Sequence, residues 1–375
     1  MIVIEVLFGI YIVALAILLM GWRKMENKTE VFTTPVNFSA TILVPFRNEE
    51  QSLPKLLASL VSQKYTGNWE VILINDHSDD SSVNVVQRFI ESHRFASMVL
   101  TDASSEGKKH ALNAGIALAK GEIIITTDAD CVMGPNWLQS MVDAFAHDQV
   151  NMVAGPVRIK SDKSFWSQMQ QLEFASVIGT SGATLAYNLP TMCNGANLAF
   201  RKSIFFQVGG YESNFDIASG DDEFLLKKIR SLSDRGIVFN FNRSSIVTTS
   251  ALPSLRSFVS QRIRWAGKWK FSDDLLTKVL AVGVFGFHLA VLALVMVLIL
   301  DPTNFEIPAL LLIGKITVEL VFLRKVSSWL NNKWSWLTFL AWQLLYPFYS
   351  LFIGVASLIS GYTWKNRRYH AFAGS

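Results

Sequence analysis

The sequence predicts an α/β domain with a largely parallel sheet, held between membrane-spanning helices at both ends of the chain. Three observations carry that prediction. Only 17% of the 375 residues are charged while 50% are hydrophobic, against roughly 25% charged in an ordinary soluble domain. The deficit is concentrated in long charge-free runs near the two termini. Between them, from about Ser39 to Lys270, charge is normal and short β-branched runs alternate with helical patterns, as in strands joined by crossover helices.

The first element is the run MIVIEVLFGIYIVALAILLM over residues 1–20, with a single acidic residue, followed at once by Arg23, Lys24 and Lys28. About 20 apolar residues suffice to cross a bilayer. A cleavable signal would carry its positive charge before the apolar run and a small-residue cleavage site after it. This segment has neither, so residues 1–22 read as an uncleaved anchor whose following loop lies in the cytoplasm.

The soluble domain, residues 36–270, contributes four strands at Ala40–Val44, Trp69–Ile74, Ser97–Leu100 and Ile123–Thr127. Helices follow them: Ser52 is placed to cap one from Leu53, Asp79 to start one that runs through Val85, and Pro135 to occupy a first turn. In such sheets ligands bind at the carboxyl ends of the strands. Those ends read VPFRNEE, INDHSDD, TDASSEGKKHALNAG and TTDADC, and three of the four carry clustered carboxylates. Crowded carboxylates repel unless a cation or hydrogen-bond donors hold them, which points to a metal or a polar ligand at that edge.

The last region, residues 278–362, holds two or three spans. Val279–Leu300 and Trp334–Trp364 contain no Asp, Glu, Lys or Arg. Between them Ile307–Leu323 is apolar except for Lys315 and Glu319, four apart on one helical face, where they can pair inside a bundle. If all three segments cross, the tail with Lys365, Arg367 and Arg368 lies outside, against the positive-inside rule. One segment is then re-entrant or interfacial, or Pro347 splits the last one.

Composition also excludes. The 34 Lys and Arg against 30 Asp and Glu include no basic run of the kind that binds nucleic acid. Cys131 and Cys193 have no metal-ligand spacing, and they read as small buried residues in a reducing compartment.

Further motifs complete the domain: GKKHALNAG at 107–115, Asp128-Ala129-Asp130, CNGANLAFRKSIFFQVGGY followed by SGDDEFLLKKI, and QRIRW at 261–265. Singly, each has a plainer reading. Asp76 is a helix cap, the Gly-Lys turn a surface turn, the acid pair solvated, and the run from Asp221 to Glu223 an acidic helix start. Together and in this order, over Thr41–Trp265 or about three fifths of the chain, they resemble a membrane-anchored, inverting family 2 glycosyltransferase with a GT-A-like, Rossmann-related mixed sheet.

The resemblance implies the following roles. Pro45, Arg47, Glu49 and Asp76 hold the nucleoside, although the family usually has an acid where Asn75 stands and often Gly where His77 stands. Lys108 approaches the diphosphate. Asp130 is the more direct ligand of Mg²⁺ or Mn²⁺, and Asp128 reaches the metal or the ribose. Asp221 is the catalytic base, with Asp222 the alternative because Gly220 replaces the usual Glu. Arg264 pairs with the diphosphate, and Gln261 and Trp265 face the acceptor; the same helix can instead anchor at the membrane surface through Arg256, Arg262, Arg264, Lys268, Lys270, Trp265 and Trp269.

The implied enzyme is an integral membrane protein, of the inner membrane if its source is bacterial, with a cytoplasmic catalytic domain. It would move a sugar from a UDP-sugar to a lipid or lipid-linked saccharide. A processive polysaccharide synthase of the cellulose, chitin or poly-N-acetylglucosamine type is the alternative enzyme. A membrane scaffold with a degenerate sugar-nucleotide fold is the non-enzyme alternative, and it predicts the loss of Asp128, Asp130 or Asp221, all of which are present.

Overall fold

The computed structural model describes all residues except 28–34, 94–96, 213–219, 234, 272–273, 360–361, 365–366 and 370–375. Of the expected features, Lys28, Lys365 and the stretch 213–219 therefore lie outside the described residues. The chain forms two compact units: Lys24–Lys160 with Ser181–Ser250, and Met1–Arg23 with Ser161–Thr180 and Ala251–Ser375.

The first unit is built on strands β1 (Ala40–Phe46), β2 (Trp69–Asn75), β3 (Met98–Asp102), β4 (Ile123–Thr126), β5 (Val132–Met133), β6 (Met152–Ala154), β7 (Val157–Lys160), β8 (Leu198–Arg201), β9 (Ile237–Phe239) and β10 (Val247–Ser250). Seven form one sheet in the order β3-β2-β1-β4-β8-β6-β9, and β5-β10-β7 form a second. β8 runs antiparallel to both β4 and β6, and the other pairs of the large sheet are parallel, so the sheet is mixed as expected. Every residue of β1 is buried, as a central strand covered on both faces requires.

Register fixes the site. Phe46 pairs with Asn75 and Asn75 with Asp102, while Leu43 pairs with Thr126. Arg47, Asp76 and Thr127 therefore leave the sheet at the same edge.

Three local expectations are corrected. Pro135 stands before Asn136, the cap residue of the helix Trp137–Asp143, and not in its first turn. Ser52 precedes the helix Leu53–Val61 but makes no side-chain cap; it sits in the right-handed helical region, and Pro54 supplies the preset first turn instead. The next helix starts at Ser82 and not at Asp79. Asp79 is drawn away to Arg47, 3.1 Å off, and Asp80 accepts from the Ser82 N–H at 2.9 Å in its place.

In the second unit, Ile2–Asn27, Leu275–Leu300 and Trp336–Ile359 are long and apolar enough to cross a membrane. Pro347 lies inside the last helix without dividing it. Glu306–Trp329 is also one helix. Its Lys315, 2% exposed, pairs with Glu319 at 2.9 Å as expected, and Tyr11 and Gln343 complete the hydrogen bonding.

Candidate active site

The loops after β1 and β2 are tied together by Arg47. Its guanidinium donates to the carbonyl oxygens of Asp76, at 2.9 Å, and of His77, and to the Asp79 carboxylate at 3.1 Å. Arg47 thus holds the loop that carries Asp76. Asn75 donates to Asp102 at 2.9 Å and accepts from the Ser78 N–H at 2.9 Å, which gives this amide two structural bonds where the family has an acid. His77 takes φ of 56°, in the left-handed region that glycine fills most readily, so the turn keeps the shape the family's glycine implies. Glu49 anchors its side of the loop by donating its N–H to Ser82 Oγ at 2.7 Å. Pro45, inside β1, is buried opposite Ile74.

Asp76 itself is buried, and its Oδ1 accepts the Gly107 N–H at 2.9 Å. Gly107, at φ 115°, starts the helix Lys108–Leu118. Lys108 then reaches inward, its Nζ 2.7 Å from Asp128 Oδ1 and 3.5 Å from Asp221 Oδ2. Burial alone would lower its pKa; the charges of Asp128, Asp221 and Asp222 outweigh that and hold it above the ordinary lysine range. The ammonium is a fixed cation between the first acid of the Asp-Ala-Asp motif and the expected base.

The second acid of that motif, Asp130, is exposed and accepts from Thr249 Oγ1 at 3.0 Å. Cys131 beside it is buried, and burial, then the charges of Asp130 and Asp128, push its thiol up. Among the described residues no three His, Cys, Asp or Glu side chains are grouped to hold a metal by themselves.

The acceptor-side motif meets this centre through Gly195. Thr126 Oγ1 donates to its carbonyl at 2.8 Å, and its N–H donates to Asp222 Oδ2 at 3.0 Å. A Cβ on Gly195 would lie 3.0 Å from Asp221 Oδ2 and 3.2 Å from Lys108 Nζ, so any larger residue there would press both charged ends aside by a few tenths of an ångström. Asp221 opens the helix Asp221–Arg230 after Gly220, which takes φ of 83°. The two candidate bases therefore differ. Asp222 holds backbone, accepting also from the Glu223 N–H at 2.8 Å, whereas Asp221 faces Lys108. Tyr211, from the Gly-Gly-Tyr turn, is buried, and burial followed by the Asp221 charge keeps its phenol neutral.

Sequence reasoning missed Asn197. It is fully buried, donates to the carbonyls of Pro156 and Ser245 at 2.8 Å each, and accepts from Trp137 Nε1 at 3.0 Å. It pins three separate stretches behind Gly195, and nothing in the local sequence signals those partners.

The QRIRW motif lies on the helix Leu255–Ala266, in the other unit, and opens with a Ser254–Ser257 capping box. Gln261, Arg264 and Trp265 are half-buried there. Of the two residues the motif leaves unspecified, both buried, Arg262 carries the charge: it contacts Glu173 at 2.7 and 2.5 Å and lies over the rings of Phe258 and Trp265 at 4.4 and 4.3 Å. Glu173, the lone charge of the helix Phe165–Leu185, was the signal available for this pair. The structure thus brings Asp76, Lys108, Asp128, Asp221 and Asp222 together in one unit, while Gln261, Arg264 and Trp265 belong to the other.

The sequence pattern of glycosyl transferase family 21 matches residues 3–375. The poly-beta-1,6-N-acetyl-D-glucosamine synthase of Staphylococcus aureus is 28% identical over 229 residues, 60% of this chain and 53% of that protein. The probable glycosyltransferase YdaM of Bacillus subtilis is 28% identical over 233 residues, 60% of this chain and 54% of that one. The chain spans about half the length of these curated relatives. Among solved structures, a mannosyltransferase from Pyrobaculum calidifontis in complex with GDP-Man and Mn²⁺ superposes with a TM-score of 0.60 at 20% identity, covering 91% of this chain and 98% of that one. That likeness shows the fold, a mixed-sheet domain similar to GT-A glycosyltransferases.

Proposed function

The chain belongs to glycosyl transferase family 21, and from that premise we propose that it moves a sugar from a UDP-sugar to a membrane lipid or lipid-linked acceptor with inversion at the anomeric carbon. The observation that carries the reading is the ammonium of Lys108 between Asp128 and Asp221, at 2.7 and 3.5 Å, with Asp222 engaged by backbone.

Asp221 takes the proton of an acceptor hydroxyl, whose oxygen attacks the anomeric carbon from the face opposite the diphosphate. The bond to the diphosphate oxygen breaks and its electrons leave with UDP. Asp221 suits the base role because it opens the helix Asp221–Arg230 and faces Lys108, while Asp222 is held by backbone N–H groups. Lys108 supplies positive charge where the leaving group gains negative charge. Asp76, at the end of β2, can accept the imide N–H of uracil, and Pro45, Arg47 and Glu49 shape the loops around it. Arg264 on the diphosphate, and Gln261 and Trp265 on the acceptor, follow from the resemblance and are assigned on that ground.

Asp130 and Asp128 would hold Mg²⁺ or Mn²⁺. Both offer hard oxygens at a strand end, Asp130 is exposed, and two carboxylates completed by diphosphate oxygens and water are what Mg²⁺ accepts. When bound, such an ion neutralises charge on the diphosphate. Removal of divalent cations by a chelator is expected to lower UDP affinity, read by calorimetry with and without added Mn²⁺.

The lipid reading is supported by helices suited to crossing a membrane near both ends of the chain, and a cytoplasmic catalytic unit by Arg23 and Lys24 after the anchor. The polysaccharide-synthase reading is favoured by the name of the Staphylococcus aureus relative. Incubating the enzyme with radiolabelled UDP-sugars and extracted membrane lipids distinguishes the two: a solvent-extractable product with one or a few sugars is expected, and long polymer would refute the lipid acceptor.

A further inference from the structure

We propose that the helix Trp336–Ile359 does not cross the membrane but lies in its plane, at the face where the anchor ends, and that Glu306–Trp329, despite its charges, is the third crossing helix. By length and composition the opposite holds, since Trp336–Ile359 qualifies as a span and Glu306–Trp329 does not.

The helix Phe165–Leu185 provides the reference. The chain before it, Lys24–Lys160, and the chain after it, Ser181–Ser250, belong to one and the same unit. A single crossing would leave its two ends on opposite faces, so this helix does not cross. Trp336–Ile359 touches that helix and the short basic segment 255–271 at its start, middle and end, and it also packs on Leu275–Leu300, with Tyr346 5.0 Å from His288, and on Glu306–Trp329 through Gln343. At its start, the Ser335 N–H and Thr338 Oγ1 donate to Gln168 at 2.7 and 3.0 Å, and Phe339 and Trp342 cluster with Met169 and Leu172. At its middle, Tyr349 donates to Glu173 at 3.3 Å, its ring 5.7 Å from Phe258. Near its end, Ile353 and Ala356 pack on Ile263, and the Leu358 carbonyl accepts from Lys270 at 3.2 Å. A crossing helix would leave such partners behind after a few turns.

Glu306–Trp329 behaves in the other way. Leu311 and Leu312 join the cluster that holds Phe8 and Ile4 near the start of the anchor, Glu319 accepts from Tyr11 at 2.6 Å at its middle, and Trp329 meets Trp22 edge-on at 5.6 Å near its end. It therefore runs parallel to the anchor through the same depth. Lys315 and Glu319 neutralise each other and are saturated by Tyr11 and Gln343, which removes the penalty that bare charges would impose on insertion.

With Ile2–Asn27, Leu275–Leu300 and Glu306–Trp329 as the crossings, the tail returns to the face of Arg23 and Lys24. Arg367 and Arg368 then obey the positive-inside rule instead of violating it. The exposed apolar stripe of the in-plane helix, Leu337, Leu344, Phe348, Phe352 and Ile359, fits the acyl region of one leaflet.

Topology can be read without any sugar transfer, so the outcome is separable from the catalytic reading. In the full chain with Cys131 and Cys193 replaced by serine, single cysteines Thr303→Cys, Lys333→Cys and Ser375→Cys are challenged with a membrane-impermeant maleimide in intact and in lysed cells. Lys333→Cys and Ser375→Cys are expected to label alike and opposite to Thr303→Cys. Ser375→Cys behaving like Thr303→Cys while Lys333→Cys differs would make Trp336–Ile359 a span and overturn the proposal. Thr303→Cys and Lys333→Cys behaving alike would overturn it too, by removing the crossing of Glu306–Trp329. Should the cysteine-free background fail to accumulate, the unsubstituted chain carrying a C-terminal green fluorescent protein or, separately, alkaline phosphatase locates the tail directly: fluorescence without phosphatase activity is expected, and the reverse overturns the proposal.

Discussion

The two units of this protein both bury charge, and they do so on different terms. At the sheet edge one ammonium, Lys108, faces the carboxylates of Asp128, Asp221 and Asp222, leaving negative charge in excess. In the helical unit the two buried cations among the described residues each have their own anion, Lys315 with Glu319 and Arg262 with Glu173, and Tyr11, Gln343 and Tyr349 complete the bonding. Charge balanced one for one serves architecture, because removing both partners leaves nothing exposed to a low dielectric. Unbalanced charge persists where a reaction uses it.

The contrast can be broken most sharply at Asp221. Asp221→Asn is expected to lower kcat by about 10³-fold or more with UDP affinity retained, from single-turnover assays and calorimetry; equal losses in Asp221→Asn and Asp222→Asn would erase the distinction between base and backbone holder. In the helical unit Lys315→Met should cost about 3 kcal/mol of stability by leaving Glu319 buried without its cation, and adding Glu319→Leu should restore most of it. Thermal unfolding in detergent measures both, and a double variant as unstable as the single one would show that the pair is not balanced in this sense. Lys108→Met is expected to lower kcat by about 10²-fold and to weaken UDP binding, since a fixed positive charge near the leaving group is lost. The smallest effect falls at the glycine beside the charged groups: Gly195→Ala should reduce kcat by about tenfold, or ~1.4 kcal/mol, without a shift in melting temperature as large as that of Lys315→Met.

How much of the fold and the site was legible in the sequence depended on how far apart the partners stand. The four leading strands and the Asp-Ala-Asp turn are local patterns, and β1 and β2 were placed to within two residues at their ends. The pairing of Lys315 with Glu319 was readable because both lie on one helix, one turn apart. Asn197 was not, since its partners stand 41, 48 and 60 positions away, nor was Arg262, whose anion is 89 positions away. Ser52 and Asp79 failed for a related reason. Each has the right side chain for a cap, but a preset proline in one case and a guanidinium from the neighbouring loop in the other decided the geometry.

The path of the chain constrains how the enzyme can be handled. The helical unit takes Ser161–Thr180 from the middle of the catalytic sequence as well as both ends of the chain. Trimming residues 1–23 and 251–375 would leave Met169 and Leu172 without Leu323, Phe339 and Trp342, the side chains that cover them. A fragment made that way keeps a bare greasy flank and is expected to clump or cling to detergent. Purification of an active form therefore calls for keeping the whole chain, or for repainting that one internal helix with polar residues.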